Sequence, residues 1–399
     1  MQMNTFDKVK SLSSRITVID AMRGIALIGI CLTHAMQYFG VGSPPSLEFF
    51  PWEGTMNEAA RWFIQYFVAS KFYIIFSLLF GLSFFIQMDR AAQKGIDFRP
   101  RFFWRLTLLL IIGLLHSLLF RMDILSIYAI LGFPLVLMYK LSNKILIGFA
   151  LFFLLGGVQL GVVGYKALNQ PKQQEELVQA NTNRPSRIQP AANFKEMAIQ
   201  NATSGMMRKL NYQVQSGRIF MTLGLFIIGL LAGRIRLFEN LNLYRRTLYQ
   251  GAVVAAILLA LLYLLQPYMP RSNPDNLEGW ISMPVTNMIN LLSAYLWIVF
   301  IVWAYRSEKI QKALEPVVSY GRMGLTNYIA QSVIGVLLFV RFGLGLGEYL
   351  GTFFAMLLCT GYTVLQIAGS HYWLKKFRYG PLEWLWRSGT YMKWQPLKK

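Results

Sequence analysis

The chain has 399 residues, of which 55% are hydrophobic and 14% are charged, a composition that excludes an ordinary soluble domain. Its net charge of +21 does not indicate a nucleic-acid partner, because the basic residues are scattered between apolar segments rather than gathered on one face. The two cysteines, Cys31 and Cys359, lie inside apolar segments, so neither a disulfide framework nor a cysteine-based metal site is expected.

Ten apolar segments follow one another along the chain, each with about the 20 residues that a membrane-spanning helix needs. They cover residues 17–39, 62–87, 102–120, 123–140, 144–165, 217–234, 246–267, 283–305, 322–341 and 349–374. The first holds three ionisable residues and no small-residue cleavage site follows it, so it is predicted to stay as a helix. We therefore expect an all-α polytopic bundle of about ten spans in a cytoplasmic membrane.

Lysine and arginine are concentrated in the loops on one side of this layout, as the positive-inside rule expects of cytoplasmic loops. Those loops hold Lys8, Lys10, Arg15, Arg90, Lys94, Arg99, Arg101, Lys140, Lys144, Arg234, Arg236, Arg245, Arg246, Arg306, Lys309, Lys312, Lys375, Lys376, Arg378, Lys398 and Lys399. The opposite short loops hold no Lys or Arg between Gly40 and Ala60, and then Arg121, Arg271 and Arg341 singly. Both ends of the chain are therefore predicted to lie in the cytoplasm.

A polar segment, residues 166–216, divides the predicted spans into two groups of five. Residues 1–165 form the N-terminal half, and residues 217–399 form the C-terminal half. The layout makes the polar segment an extracytoplasmic loop. Its content of Gln, Asn and Pro favours an unstructured spacer, with a small helical lid over a site as the alternative.

Ionisable side chains lie within the first apolar segment, where lipid disfavours them unless they are buried in the bundle or wetted. Arg23 and His34 are eleven residues apart, so on a helix they share one face and are separated by about 16 Å. Asp20 lies on nearly the same stripe. With the N-terminus inside, Arg23 is predicted near the cytoplasmic surface and His34 in the outer half of the membrane.

The third segment repeats this spacing with Arg105 and His116, and Asp123 opens the fourth segment. His34, His116 and Asp123 are thus predicted to converge in the outer leaflet, where a general base and its orienting acid could form. The alternatives are that Arg105 is an interfacial anchor and that either histidine is a satisfied packing residue.

Other polar residues also fall inside predicted spans. Lys71 is placed in the middle of the second segment, where its ammonium group would neutralise a carboxylate or bind an anionic ligand. Asn327 and Gln331 lie one turn apart behind Arg322. Their amides would either hold helices together or line a polar path.

The spacing of Arg23 and His34 resembles the arginine–x10–histidine signature in the first helix of acyltransferase-3 membrane proteins. Longer motifs resemble a closer group, the YeiB-like bacterial membrane proteins, which are described by a domain of unknown function. These motifs begin at Asp20 (DAMRGIALIGI), Phe76 (FSLLFG), Asp123 (DILSIYA), Gly321 (GRMGLTNYIAQ) and Gly380 (GPLEWLWR).

The resemblance implies a place beside the transmembrane acyltransferase superfamily, which includes acyltransferase-3 proteins and heparan-α-glucosaminide N-acetyltransferase. That would make acyl-CoA, expected to be acetyl-CoA, a cytoplasmic co-substrate, with no metal. Arg23 and His34 match the residues that acyltransferase-3 proteins need for activity. Arg101 and Arg105 correspond only loosely to the paired arginines of those enzymes, because three residues separate them here.

Two functional hypotheses follow. In the first, Arg23, Arg101 and Arg105 hold CoA phosphates, and His34 acts as base or acyl carrier, oriented by His116 or Asp123. An acyl group then passes to a hydroxyl or amine of a glycan, lipid or small molecule outside. The alternative is a secondary transporter or lipid flippase that uses Lys71, His34 and Asp123. The absence of a sequence repeat or an evident broken helix favours the enzyme. Besides the bilayer, a second copy of the chain is an expected partner.

Overall fold

The computed structural model describes residues 16–38, 50–169, 191–268 and 277–399, which form a bundle of α-helices. The first seven are α1 (Thr17–Tyr38), α2 (Glu53–Phe63), α3 (Lys71–Ala92), α4 (Arg99–Leu119), α5 (Leu125–Met138), α6 (Asn143–Leu154) and α7 (Gly157–Asn169). The next five are α8 (Phe194–Gln200), α9 (Met206–Gln215), α10 (Arg218–Arg234), α11 (Leu241–Leu265) and α12 (Leu277–Ala304). The last five are α13 (Glu308–Ala313), α14 (Glu315–Arg322), α15 (Gly324–Phe339), α16 (Thr352–Lys376) and α17 (Pro381–Tyr391).

The expected all-α class is confirmed for these residues, whose β-structure is limited to an isolated bridge between Phe377 and Lys398. Within the described ranges, six helical segments are long and apolar enough to cross a membrane: Thr17–His34, Glu53–Ala92, Arg99–Leu119, Leu241–Tyr268, Pro284–Ala304 and Thr352–Lys376. A bent pair, Phe194–Gln215 with Arg218–Arg234, would make a seventh, and α5, α6 and α15 are shorter apolar helices. The chain is thus consistent with a multi-pass membrane protein.

The helix is interrupted within the second apolar segment, residues 62–87, which the sequence analysis did not predict. Helix α2 ends at Phe63, a π-helical turn covers Ile64–Val68, and Ser70 has a φ of 67° before α3 begins. Lys71 is therefore the first residue of α3 and does not lie in the middle of a helix. A break leaves carbonyl groups without helical partners. The Lys71 ammonium group satisfies one of them, because it donates to the Gln65 carbonyl at 2.9 Å.

The described part of the polar segment, residues 191–216, is helical. Helices α8 and α9 flank a π-helical turn at Asn201–Gly205, and α9 meets α10 at a bend of 65°. The Asn201 side chain donates to the Leu118 carbonyl at 2.9 Å and so attaches this segment to the end of α4. An unstructured spacer therefore does not describe residues 191–216, and residues 170–190 lie outside the described residues.

Small residues bring the central helices close together. Gly81 on α3 faces the backbone of Phe226 on α10, and Gly229 on α10 faces the backbone of α3 in return. Gly24 on α1 and Gly321 on α14 make a similar contact. A Cβ atom at any of these positions would collide with the neighbouring backbone. The α1–α14 contact fixes the helix face that carries Asp20 and Arg23.

Candidate functional site

An inner cavity of about 380 Å³ lies between α1, α3, α4, α14, α15 and α17. Its polar lining includes Asp20, Arg23, Ser83, Arg105, Arg322 and Glu383. The rest of its walls are mainly apolar and aromatic, and they include Phe76, Phe80, Leu109, Leu125, Tyr128 and Tyr328. The cavity therefore combines positive charge near one end of the helices with an apolar interior.

Arg23 is held in this cavity by two hydrogen bonds. Its guanidinium donates to the Asp20 carboxylate at 2.7 Å and to the Ser83 hydroxyl at 3.0 Å. The Asp20 partner was anticipated from the three-residue spacing on α1, whereas Ser83 was not. The two bonds join α1 to α3 and fix the direction of the guanidinium.

The C-terminal helix α17 completes the cavity. The Arg105 guanidinium lies 3.6 Å from the centre of the Trp386 ring, a cation–π contact that joins α4 to α17. The Glu383 carboxylate accepts from the backbone N–H groups of Leu325 and Thr326 and so caps the first turn of α15. Arg101 does not line the cavity and lies 5.1 Å from the centre of the Tyr391 ring.

An outer pocket of about 50 Å³ lies at the opposite end of α1. Its polar lining consists of Thr33, His34, Ser70, Tyr73, Gln213 and Arg218. His34 is only 6% exposed. The Oε1 atom of Gln213 is buried and accepts no hydrogen bond within the described residues. Arg218 donates to the Ser70 hydroxyl at 2.6 Å, which secures the helix break between α2 and α3.

A thin layer separates the outer pocket from the inner cavity. Ile124 lines the outer pocket, whereas Leu125, its neighbour in sequence, lines the inner cavity. Tyr328 also lines the inner cavity, and its ring centre lies 5.8 Å from that of His34 and 5.1 Å from that of His116. Tyr328 therefore stands between the two spaces, beside both histidines.

A buried hydrogen-bond network supports this layer. The Nδ1 atom of His116 lies 2.8 Å from an Asp123 carboxylate oxygen, and His116 and Asp123 are 3% and 0% exposed. Asp123 also accepts from the backbone N–H groups of Leu125 and Ser126. Its second oxygen lies 3.6 Å from the ammonium group of Lys209, which donates to the Ser126 hydroxyl at 2.7 Å. Asp123 thus orients His116 and is balanced by a lysine from α9.

The remaining predicted residues mostly join helices. Asn327 donates to the Tyr320 carbonyl and to the Ser370 hydroxyl. Gln331 donates to the Tyr320 hydroxyl at 2.6 Å and lies beside His34 in a void of about 10 Å³. Within the described ranges, no group of three or more His, Cys, Asp and Glu residues could hold a metal ion.

Among the residues of the site that sequence reasoning missed are Ser83, Lys209, Gln213, Tyr328 and Trp386. Tyr328 and Trp386 fall inside the motifs that begin at Gly321 and Gly380, so a signal for them was present. Lys209 and Gln213 are four residues apart on α9, one turn of a helix. Reading residues 206–215 as a helix would have placed them on one face.

Known proteins that are similar to this chain align with nearly its whole length. Residues 232–393 match the family described as protein of unknown function (DUF418). The chain is 28% identical to the uncharacterized protein YxaH of Bacillus subtilis, over 97% of each chain. It is 28% identical to the uncharacterized protein YeiB of Escherichia coli, over 94% of this chain and 96% of that protein. An uncharacterized 39.9 kDa protein of Bacillus acidopullulyticus is 27% identical over 97% of each chain.

The family match covers the part of the chain that supplies Tyr328, Glu383 and Trp386, and the relatives extend the similarity to the half that supplies His34 and Asp123. The resemblance to the YeiB-like proteins is thereby confirmed. The chain is therefore similar to YeiB over nearly its whole length, and its residues 232–393 match the DUF418 family.

Proposed function

We propose that the protein is an integral membrane acyltransferase that moves an acyl group, expected to be acetyl, from cytoplasmic acyl-CoA to an acceptor outside. The observation that carries this proposal is the layer of His34, Tyr328 and His116 between two spaces at opposite ends of α1. A transfer across a membrane needs a donor space, an acceptor space and a reactive group where they adjoin.

The orientation follows from the charge of the loops. Arg90, one of the residues that predict the cytoplasmic side, lines the inner cavity, so that cavity would face the cytoplasm. The outer pocket would then face the opposite side of a bacterial inner membrane. Ten spans with both ends inside is the topology proposed, with α5, α6 and α15 as short spans beside the longer helices.

The donor would place its thioester in the inner cavity. The guanidinium groups of Arg23, Arg105 and Arg322 give the cavity a positive field that attracts an anionic donor. The apolar walls above them suit the uncharged arm that carries an acyl group. A small movement of Tyr328 would bring the acyl carbon to the acceptor.

His34 would act as the general base. Its imidazole takes a proton from the acceptor's hydroxyl or amine, and the acceptor atom forms a bond to the acyl carbon. The carbon–sulfur bond breaks, and the sulfur leaves as a thiolate that takes up a proton to give free CoA. The Asp123 carboxylate, which is hydrogen-bonded to His116 and so holds this layer in place, would stabilise the positive charge that develops on His34.

Binding of acetyl-CoA tests the proposal first. Purified protein in lipid nanodiscs should unfold at a higher temperature with acetyl-CoA, because a ligand at about 100 times its Kd stabilises by about 2.7 kcal/mol. Vesicles loaded with bacterial envelope lipids and glycans should then gain radioactivity from [14C]acetyl-CoA supplied at the cytoplasmic face. Wild-type protein that neither binds acetyl-CoA nor transfers its acetyl group would refute the proposal.

Transport is the second candidate, and the broken helix at Ile64–Ser70 favours it, because transporters often carry broken helices near their binding sites. Lys71 gives this candidate little support, since its ammonium group binds a carbonyl at the break and lines neither cavity. Uptake of an anionic solute into vesicles without any effect of acetyl-CoA would favour the transporter.

A further inference from the structure

A larger groove lies beside the inner cavity, at the same end of the helices. It has a volume of about 1110 Å³ and is formed where α1 and α11 begin and α3 and α12 end. Its lining mixes apolar residues such as Leu248 and Val302 with asparagine, glutamine and tyrosine side chains. This volume lies at the upper end of the range for small-molecule sites.

Four arginines line the groove: Arg90, Arg236, Arg245 and Arg306. Arg236 forms ion pairs with Asp89 at 3.1 Å and Glu239 at 3.0 Å, so acidic side chains already balance its charge. Arg90, Arg245 and Arg306 form no ion pair with any residue that the structure describes. The groove therefore presents three guanidinium groups whose charge is available to an anion.

The groove and the inner cavity share part of their walls. Ile16, Ile86 and Arg90 line both spaces, so a ligand could pass from one to the other along α3. The arginines of the inner cavity are less suited to phosphate. Arg23 is engaged by Asp20 and Ser83, and Arg105 is stacked on Trp386.

We propose that this groove binds the phosphorylated nucleotide end of the acyl donor, with phosphates on Arg90, Arg245 and Arg306. This inference rests on the proposed acyltransferase function and assigns the donor's two ends to two spaces. The guanidinium fork suits phosphate oxygens. Tyr305, which also lines the groove, offers an aromatic face to a base, whereas the ring centre of Tyr249 lies 5.7 Å from the Arg245 guanidinium. The uncharged arm would pass Arg90 into the inner cavity.

The test compares groove variants with a neighbour on the same helix. Arg245→Gln with Arg306→Gln removes two guanidinium groups from the groove, whereas Arg246→Gln removes one that does not line it. The probes are acetyl-CoA and adenosine 3′,5′-bisphosphate, which is the nucleotide end of CoA without its arm. Binding is measured on full-length protein in nanodiscs of phosphatidylcholine, with and without added phosphatidylglycerol.

The double variant should bind acetyl-CoA at least about tenfold more weakly, since two charge-assisted contacts are lost. Arg246→Gln should stay within about twofold of wild type. Adenosine 3′,5′-bisphosphate should compete with acetyl-CoA on wild type but not on the double variant.

Two results would overturn the inference while leaving the acyltransferase proposal intact. One is equal acetyl-CoA affinity in wild type and the double variant. The other is competition at the groove by phosphatidylglycerol but not by adenosine 3′,5′-bisphosphate, which would make the groove a site for an anionic lipid headgroup. Conversely, arginine-dependent binding of the bisphosphate without any acetyl transfer would support the groove as a nucleotide site and refute the acyltransferase.

Discussion

The inner cavity and the outer pocket lie on opposite sides of one layer but differ in size and chemistry. The inner cavity has about 380 Å³, several arginines and long apolar walls, and α17 closes it from one side. The outer pocket has about 50 Å³ and gathers a histidine, an amide and a guanidinium around a helix break. The first suits the acyl-bearing arm of a donor, whereas the second admits little more than one reacting group.

The difference also concerns which parts of the chain build each space. The inner cavity uses the helix ends of α1, α3, α4 and α14, whereas the outer pocket depends on α9, from the polar segment between the two halves. We therefore expect substitutions in the inner cavity to change donor binding, and those in the outer pocket to change the acceptor or the rate of transfer.

The largest effect is predicted for His34, which belongs to the outer pocket. His34→Ala should reduce acyl transfer by roughly 10²–10⁴-fold, the range for a lost general base, while acetyl-CoA binding is retained. His34→Gln should be nearly as inactive because glutamine cannot take up the proton. The transfer of [14C]acetyl groups by reconstituted protein measures this.

The control is His371→Gln on α16, which removes the third histidine of the chain, one that lines neither space. It should transfer at the wild-type rate. A His34→Ala protein that is folded and fully active would remove His34 from the mechanism, and an acetylated His34 trapped by acid quench would make it the acyl carrier.

A loss of stability is predicted when the network between the two spaces is broken. Asp123→Asn leaves the Lys209 ammonium group buried without its carboxylate, which should cost about 3–5 kcal/mol. Asp123→Asn with Lys209→Met should recover part of that loss, because the two changes are coupled. Thermal unfolding in detergent measures both.

The matched control for this pair is Asp97→Asn, which removes the exposed ion pair with Arg99 and should leave the unfolding temperature unchanged. Equal losses for Asp97→Asn and Asp123→Asn would contradict the view that the buried network supports the layer.

A smaller effect is predicted for Arg23 in the inner cavity. Arg23→Lys keeps the charge but cannot bond Asp20 and Ser83 at once, so the wall of the cavity that receives the donor's arm should loosen and acetyl-CoA should bind about threefold more weakly. Titration calorimetry measures the affinity. If Arg23→Ala binds like wild type, Arg23 serves only to join α1 to α3.

The smallest effect on activity is predicted for Lys71, which the structure assigns to neither space. Lys71→Met should lower stability by about 1–3 kcal/mol, because the Gln65 carbonyl loses its partner, while the rate per folded molecule changes less than twofold. If fully folded Lys71→Met lost most of its rate of acyl transfer, Lys71 would have a direct functional role, as the transporter hypothesis expected.

Regular helical spacing made part of the site predictable. Asp20, Arg23 and His34 share α1, and the short turn after α4 brings Asp123 back to His116. These relations depend on one helix or one turn, so the residue spacing alone contained them.

Breaks and tertiary contacts were not predictable in the same way. The π-helical turn before Lys71 interrupts an apolar run without any Gly or Pro to mark it. Lys209 reaches Asp123 from a segment 83 residues after Ser126, so only the fold places them together. The stacking of Arg105 on Trp386 likewise depends on how α17 packs against α4.

The separation of the two spaces is tested most directly by two serines, one immediately before α3 and one within it. Ser70 lines the outer pocket and Ser83 lines the inner cavity, about 20 Å further along α3. Ser70→Cys and Ser83→Cys are made in protein whose native cysteines are replaced by alanine. Each is treated with a membrane-impermeant thiol reagent in vesicles of known orientation.

We predict that Ser70→Cys reacts only from outside the cell, that Ser83→Cys reacts only from the cytoplasmic side, and that acetyl-CoA protects Ser83→Cys alone. Reaction of both cysteines from the same side, or protection of Ser70→Cys instead, would contradict a donor space and an acceptor space on opposite faces of the membrane.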